Sequence, residues 1–153
     1  MLYNRIKQIS PGQVVETGDF QATSQKHGNK STVLKNAAGQ AVTLPAATGS
    51  GNVYNFIVGT TISSNSTTIK AASATDSFVG LATGVDTDAE GATGYTWNAD
   101  SGDDTVTLNG AATGGKAGDV ITITDIDAGT FLVQGAIAQS GGSEATPFSA
   151  TVS

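Results

Sequence analysis

Cysteine is absent from the 153 residues, which removes both disulfide staples and thiolate metal sites. Stability must then come from packing, backbone hydrogen bonds or contacts between subunits. A single histidine, His27, sits in the polar stretch "QKHGNK". Nucleophilic catalysis needs a base held rigidly beside its nucleophile, so a lone histidine in that setting reads as a surface residue. No run is apolar enough for a membrane helix. The opening "MLYNRIKQIS" lacks the apolar centre of a secretion signal, so a soluble protein made without one is expected. Charged residues are also scarce, at 13% against about 25% in an average domain.

What fills the gap is glycine (20 residues) together with alanine, serine and threonine. From about residue 40 the chain falls into short β-prone runs separated by turn signals. They are "QAVTL" (40–44), "VYNFIVG" (53–59), "STTIKA" (66–71), "SFVGLA" (77–82), "YTWNA" (95–99), "DTVTLN" (104–109), "DVITITD" (119–125) and "GTFLVQGAIA" (129–138). Within them the apolar residues alternate: Tyr54, Phe56 and Val58; Val106 and Leu108; Ile121 and Ile123; Phe131, Val133 and Ile137. A period of two places each set on one face of a sheet. No longer window keeps helical spacing. The expected fold is all-β, an antiparallel β-sandwich or barrel of about eight short strands. Residues 1–35 are polar and sparse in apolar side chains, so they are expected to form an extended N-terminal arm, with a β-rich body over 36–153.

Charge divides along the same line. Residues 1–35 carry five cations against two acids, a net +3, whereas the remainder has Lys70 and Lys116 against eleven acids, a net −9. An acidic body argues against nucleic acid as a partner, because that affinity rests on neutralising phosphates. Exterior strand positions are Thr, Ser or Ala more often than Lys or Glu. Monomeric sheet proteins usually guard their edges with charge, so some faces are expected to be covered by other subunits.

Two stretches imitate ligand-binding motifs. "GAATGGKA" (110–117) spaces Gly110, Gly115 and Lys116 as a phosphate-binding loop does, but Ala117 replaces the hydroxyl that would hold Mg²⁺. A strand follows where a helix is required, so the glycines are expected to close a hairpin with Lys116 exposed at its tip. "DTDAEG" offers Asp86, Asp88 and Glu90 at the first three ligand positions of a Ca²⁺ loop. Its twelfth position falls on Trp97 instead of a glutamate, so a solvated acidic loop is the plainer reading. Asp103/Asp104 and Asp125/Asp127 lie at expected strand ends, where aspartate serves turns. Tyr95 and Trp97 share one strand face. They suit a core or a subunit interface, or else a stacking platform for a glycan. No catalytic constellation, cofactor site or enzyme class emerges.

Three stretches carry a family likeness: "VTLPAATGSGNVYNFIVGTTISSNSTTIKAA", "DDTVTLNGAATGGKAGDVITITDIDAGTFLVQGA" and the terminal "EATPFSATVS". Over roughly residues 40–153 the chain resembles the small structural proteins that decorate or cement the capsid exterior of tailed, particularly marine, bacteriophages. The resemblance implies a β-rich homotrimer on the virion surface, made in the host cytoplasm, whose N-terminal arm contacts the major capsid protein. On this chain the contacts would fall at Tyr3, Arg5, Ile6, Lys7 and Ile9. It implies no nucleic-acid or membrane partner. An exposed head fibre or a host- or glycan-binding module of the virion is the alternative within the same resemblance.

Overall fold

The computed structural model describes residues 12–88 and 93–153. They form twelve strands and no helix. In chain order these are β1 (Val14–Glu16), β2 (Phe20–Gln21), β3 (Lys30–Leu34), β4 (Ala41–Thr43), β5 (Val53–Val58) and β6 (Thr67–Lys70). They continue with β7 (Ser77–Asp86), β8 (Gly94–Asn98), β9 (Thr105–Leu108), β10 (Val120–Asp127), β11 (Thr130–Gln139) and β12 (Phe148–Ser149). All eight expected runs are strands. Two sheets result: seven strands in the order β1-β3-β5-β10-β11-β7-β8, and five in the order β12-β9-β6-β4-β2.

The alternation expected from sequence sets what is buried. Tyr54, Phe56, Ile121, Ile123, Phe131 and Val133 from the larger sheet meet Val42, Ile69, Val106 and Leu108 from the smaller in one apolar cluster. Each such side chain contributes about 1.5–3 kcal/mol when fully removed from water. Phe78 and Phe131 meet edge to face, their centroids 6.1 Å apart.

Three expectations are corrected. The sheets are mixed rather than antiparallel: β1–β3, β3–β5, β2–β4, β4–β6 and β7–β11 pair in parallel. The cause is the winding. From β1 to β6 successive strands alternate between the sheets, so odd strands stack beside odd and even beside even, all running the same way. A parallel neighbour needs a long return path, and here a strand of the opposite sheet supplies it.

The boundary at residue 35 is the second. Residues 14–34 supply three strands, with Thr32, Leu34 and Ala22 buried, so this part of the expected arm belongs to the sheets; residues 1–11 lie outside the described residues. The polar segment 23–29 is held by backbone bonds, from the His27 and Gly28 N–H groups to the Thr23 carbonyl and from the Asn29 N–H to the Val53 carbonyl, and by side-chain bonds. His27 is 2% exposed, stacked on Phe20 at 4.9 Å, and is no surface residue. Its Nδ1 accepts from the Thr23 N–H (3.0 Å), so the proton sits on Nε2, which faces Glu16 at 3.0 Å. The ion pair to Lys26 holds the Glu16 carboxyl below its ordinary range; burial opposes this, and the His27 bond adds to it.

Third, "NGAATGGKAGDV" closes no hairpin. β9 belongs to the smaller sheet and β10 to the larger, so the segment carries the chain across the rim. Gly110 has φ +84°, and a Cβ there would stand 1.9 Å from the Ile62 carbonyl oxygen. The glycine is therefore required, though for a crossing. A hairpin is instead found at "DIDAGTF", where β10 and β11 are joined through Ala128-Gly129.

Buried aspartates tie these crossings down. Asp125 Oδ atoms accept from the N–H groups of Thr48, Gly49 and Ser50 and from both of the hydroxyls at 48 and 50, over 2.6–3.1 Å. Asp119 takes the N–H groups of Gly115 (2.7 Å), Lys116 (3.1 Å) and Ala138 (2.9 Å). Asp104 takes those of Thr151 and Val152, and Asp76 that of Ala47. For Asp119 burial wins and raises the carboxyl above its usual range, against its three donors. For Asp125 burial also pushes upward, but the bonds from Ser50, Gly49 and Thr48 outweigh it and hold the group below that range.

A carboxyl held low in the folded state stabilises the fold above its ordinary pKa, and that contribution drains away as pH falls through the folded value. Asp125→Asn is therefore expected to lower stability at neutral pH by about 1–3 kcal/mol. Below about pH 4 the gap to the unsubstituted protein should narrow. Urea unfolding at a series of pH values measures it, and a gap independent of pH would refute the role given to the charge.

Candidate functional site

The parallel pairing of β7 with β11 runs ten residues and ends by setting Asp86 beside Gln139. Past that point both strands run into loops, and the loops bring three acids together. Carboxylate oxygens of Asp86, Asp88 and Glu144 all lie within 4.8 Å of one another. Asp86 is buried, Glu144 half-buried and Asp88 exposed. The turn is fixed by its own bonds: Asp88 N–H donates to Asp86 Oδ1 (3.0 Å), and Gly141 N–H to Asp88 Oδ2 (2.8 Å). Glu144 Oε2 accepts from the Tyr95 hydroxyl (3.1 Å), while its Oε1 is buried with no hydrogen-bond partner among the described residues. Accepting that bond raises the Tyr95 phenol above its ordinary range, helped by burial and by the charges of Glu144 and Asp86.

Beneath the acids lies Gln139, fully buried. Its Oε1 accepts from Trp97 Nε1 at 2.9 Å, and its Nε2 donates to the carbonyls of Ala112 and Ala145. One amide thus joins β8, β11, the 109–118 crossing and the terminal segment. A side chain at Gly84 would collide with this amide, its Cβ 1.9 Å from Oε1. Trp97 is half-buried and packed on the core cluster, stacked with Tyr95 at 5.6 Å and 13°. The pair is therefore built into the scaffold at the edge of the larger sheet. Lys116, expected at an exposed tip, is half-buried; its Nζ donates to the Thr87 hydroxyl (2.6 Å) beside the acids.

Of the Ca²⁺ candidates read from "DTDAEG", Asp86 and Asp88 come together, and Glu90 lies outside the described residues. The third acid is Glu144, which no local spacing announces, because only the β7–β11 pairing makes it a neighbour. Hard oxygen donors of this kind suit a divalent cation such as Ca²⁺. Asp103 serves a turn, as expected, taking the Asp100 N–H, whereas Asp104 is buried and binds the terminal segment instead of a turn. The shell-contact candidates Tyr3, Arg5, Ile6, Lys7 and Ile9 all lie outside the described residues.

No known protein family, curated protein or solved structure matches the chain.

Two measurements test this corner. Thermal unfolding with millimolar Ca²⁺ against chelator should show a rise in midpoint that Asp88→Asn removes; no rise would leave the acids as a solvated cluster. Trp97→Ala should lower unfolding free energy by about 2 kcal/mol or more, less than the loss for a fully buried ring. A Trp97→Ala protein of unchanged stability would show the ring to be a free platform.

Proposed function

We propose that this chain is a structural protein of a phage virion, which decorates and stabilises the capsid exterior by multivalent binding to major capsid protein subunits. The observation that carries the reading is where the resemblance falls. Its three stretches include β4–β6 and β9–β12, which supply the middle of both sheets and most of the core. The likeness is thus one of scaffold. In this reading the two sheets around one core are a β-sandwich, the copies form a trimer, and the protein works on the virion surface without catalysing a reaction or holding a cofactor.

Attachment is assigned to the basic N-terminal residues, with Tyr3, Arg5, Ile6, Lys7 and Ile9 as the contacts. They lead into β1, the outermost strand of the larger sheet. Several weak footholds on one oligomer raise the effective concentration of each, so occupancy of a shell exceeds what one arm would achieve. A glycan-binding module on the virion is the weaker reading, since Trp97 gives one flank to the core and its N–H to Gln139.

Removing residues 1–10 is expected to abolish co-sedimentation with intact capsids while the unfolding transition of the body persists. Truncated protein that still saturates capsids would overturn the assignment of the arm.

A further inference from the structure

The outer face of the seven-stranded sheet has one charged residue among its paired positions, Asp127 opposite Thr130 at the hairpin end; the other twenty-two are uncharged. One row crosses every strand, beginning Val15–Val33–Ile57–Val120–Ala136 and ending on two threonines. The next row is polar and uncharged from β3 to β11, through Ser31, Asn55, Thr122 and Gln134, and then meets Leu81 on β7. Asn55 donates to Ser31 Oγ (3.2 Å) and accepts from Thr122 Oγ1 (2.9 Å). On β7 the same face exposes Val79, Leu81 and Val85, each 43–44% accessible. With Val15 these are four of the five large apolar side chains exposed among the described residues, and the fifth, Ile126, is on β10 of the same sheet. Lys30 stands at the margin, its Nζ bonded to the Gln25 carbonyl.

We propose that this face is where copies of the chain associate. Two observations select a second copy over a different partner. Each outer position covers about 32 Å² of sheet, from a 6.6 Å repeat and a 4.8 Å strand spacing. The twenty-two uncharged positions then give about 700 Å² a side, so two copies bury about 1,400 Å², enough for a specific interface. The second is charge. Residues 36–153 carry a net −9, so two bodies approach favourably only through a surface that brings no acid against another. A cationic partner would be met by several acids, and this face has one, Asp127 at its margin. Interface centres are depleted of charge in the same way.

The inference names a face-to-face contact between two copies; it rests on the proposed function only in that copies associate, and it depends neither on the trimer nor on what the oligomer binds. Sedimentation of the full chain from about 1 to 100 μM tests it. The unsubstituted protein should run as an oligomer. Leu81→Lys, and independently Val85→Lys, should weaken association by about 100-fold or more, because each contact then brings cations together. Both positions are exposed, so the variants should keep the β-sheet circular-dichroism spectrum of the folded chain; Thr107→Lys on the outer face of the smaller sheet should leave the mass unchanged. An unsubstituted protein that is monomeric throughout, or lysine variants that keep the oligomeric mass, would overturn the proposal. Capsid co-sedimentation of the same proteins separates the two readings: monomers that still bind shells refute the face and spare the arm, while an intact oligomer that binds no shell does the reverse.

Discussion

Nine of the eleven connections between strands carry the chain from one sheet to the other, and every crossing takes backbone out of its ladder beside a shared apolar core. Amide groups at such places have neither a strand partner nor free access to water, and leaving one unpaired costs about 1–3 kcal/mol. The buried carboxylates of Asp76, Asp104, Asp119 and Asp125 meet that demand. Asp76, Asp119 and Asp125 accept N–H groups from loops at crossings and Asp104 from the terminal segment, and Asp125 alone accepts five bonds from residues 48–50. In a chain without cysteine, these oxygens perform the stapling that disulfides perform elsewhere. A substantial part of the body's negative charge is therefore internal and structural.

That arrangement shapes what the surface offers. With many acids drawn into loop rims, the broad strand faces are left to threonine, serine, asparagine and small aliphatic residues. The larger sheet shows this most fully, with a row of apolar residues beside a hydrogen-bonded polar row. At one end of the same sheet, the Tyr95–Trp97 stack, Gln139 and the three clustered acids close the β7–β8 edge. An open edge invites pairing with another chain, and the convergent side chains there cap its flank.

Much of the fold was legible before any coordinates. All eight runs picked out by turn signals and β-prone residues are strands, and Tyr54, Phe56, Ile121, Ile123, Phe131 and Val133 face the core as their alternation required. The failures share one origin. Strands β2 and β3 hide in a polar stretch because they are short and the polar residues between them, His27 among them, are satisfied by hydrogen bonds. The glycine-rich 109–118 segment carries the residues of a tight turn, and those residues suit a crossing between sheets as well as a hairpin. In the acidic cluster Asp86 and Asp88 were readable from spacing, whereas Glu144, 56 residues beyond Asp88, was not.

The sequence by itself determined that the protein is all-β and which side of each strand is buried. Alternation at period two is a local property, and burying apolar area admits one answer per strand. It also showed that the phosphate-loop likeness is false, because Ala117 and the strand after it are local facts. Only the tertiary structure decided the strand partners, the parallel winding of β1 to β6, the burial of His27, and the meeting of Glu144 with Asp86 and Asp88. Pairing across dozens of residues depends on how the whole core closes. A period of two says which face of a strand is apolar and nothing about which strand lies beside it.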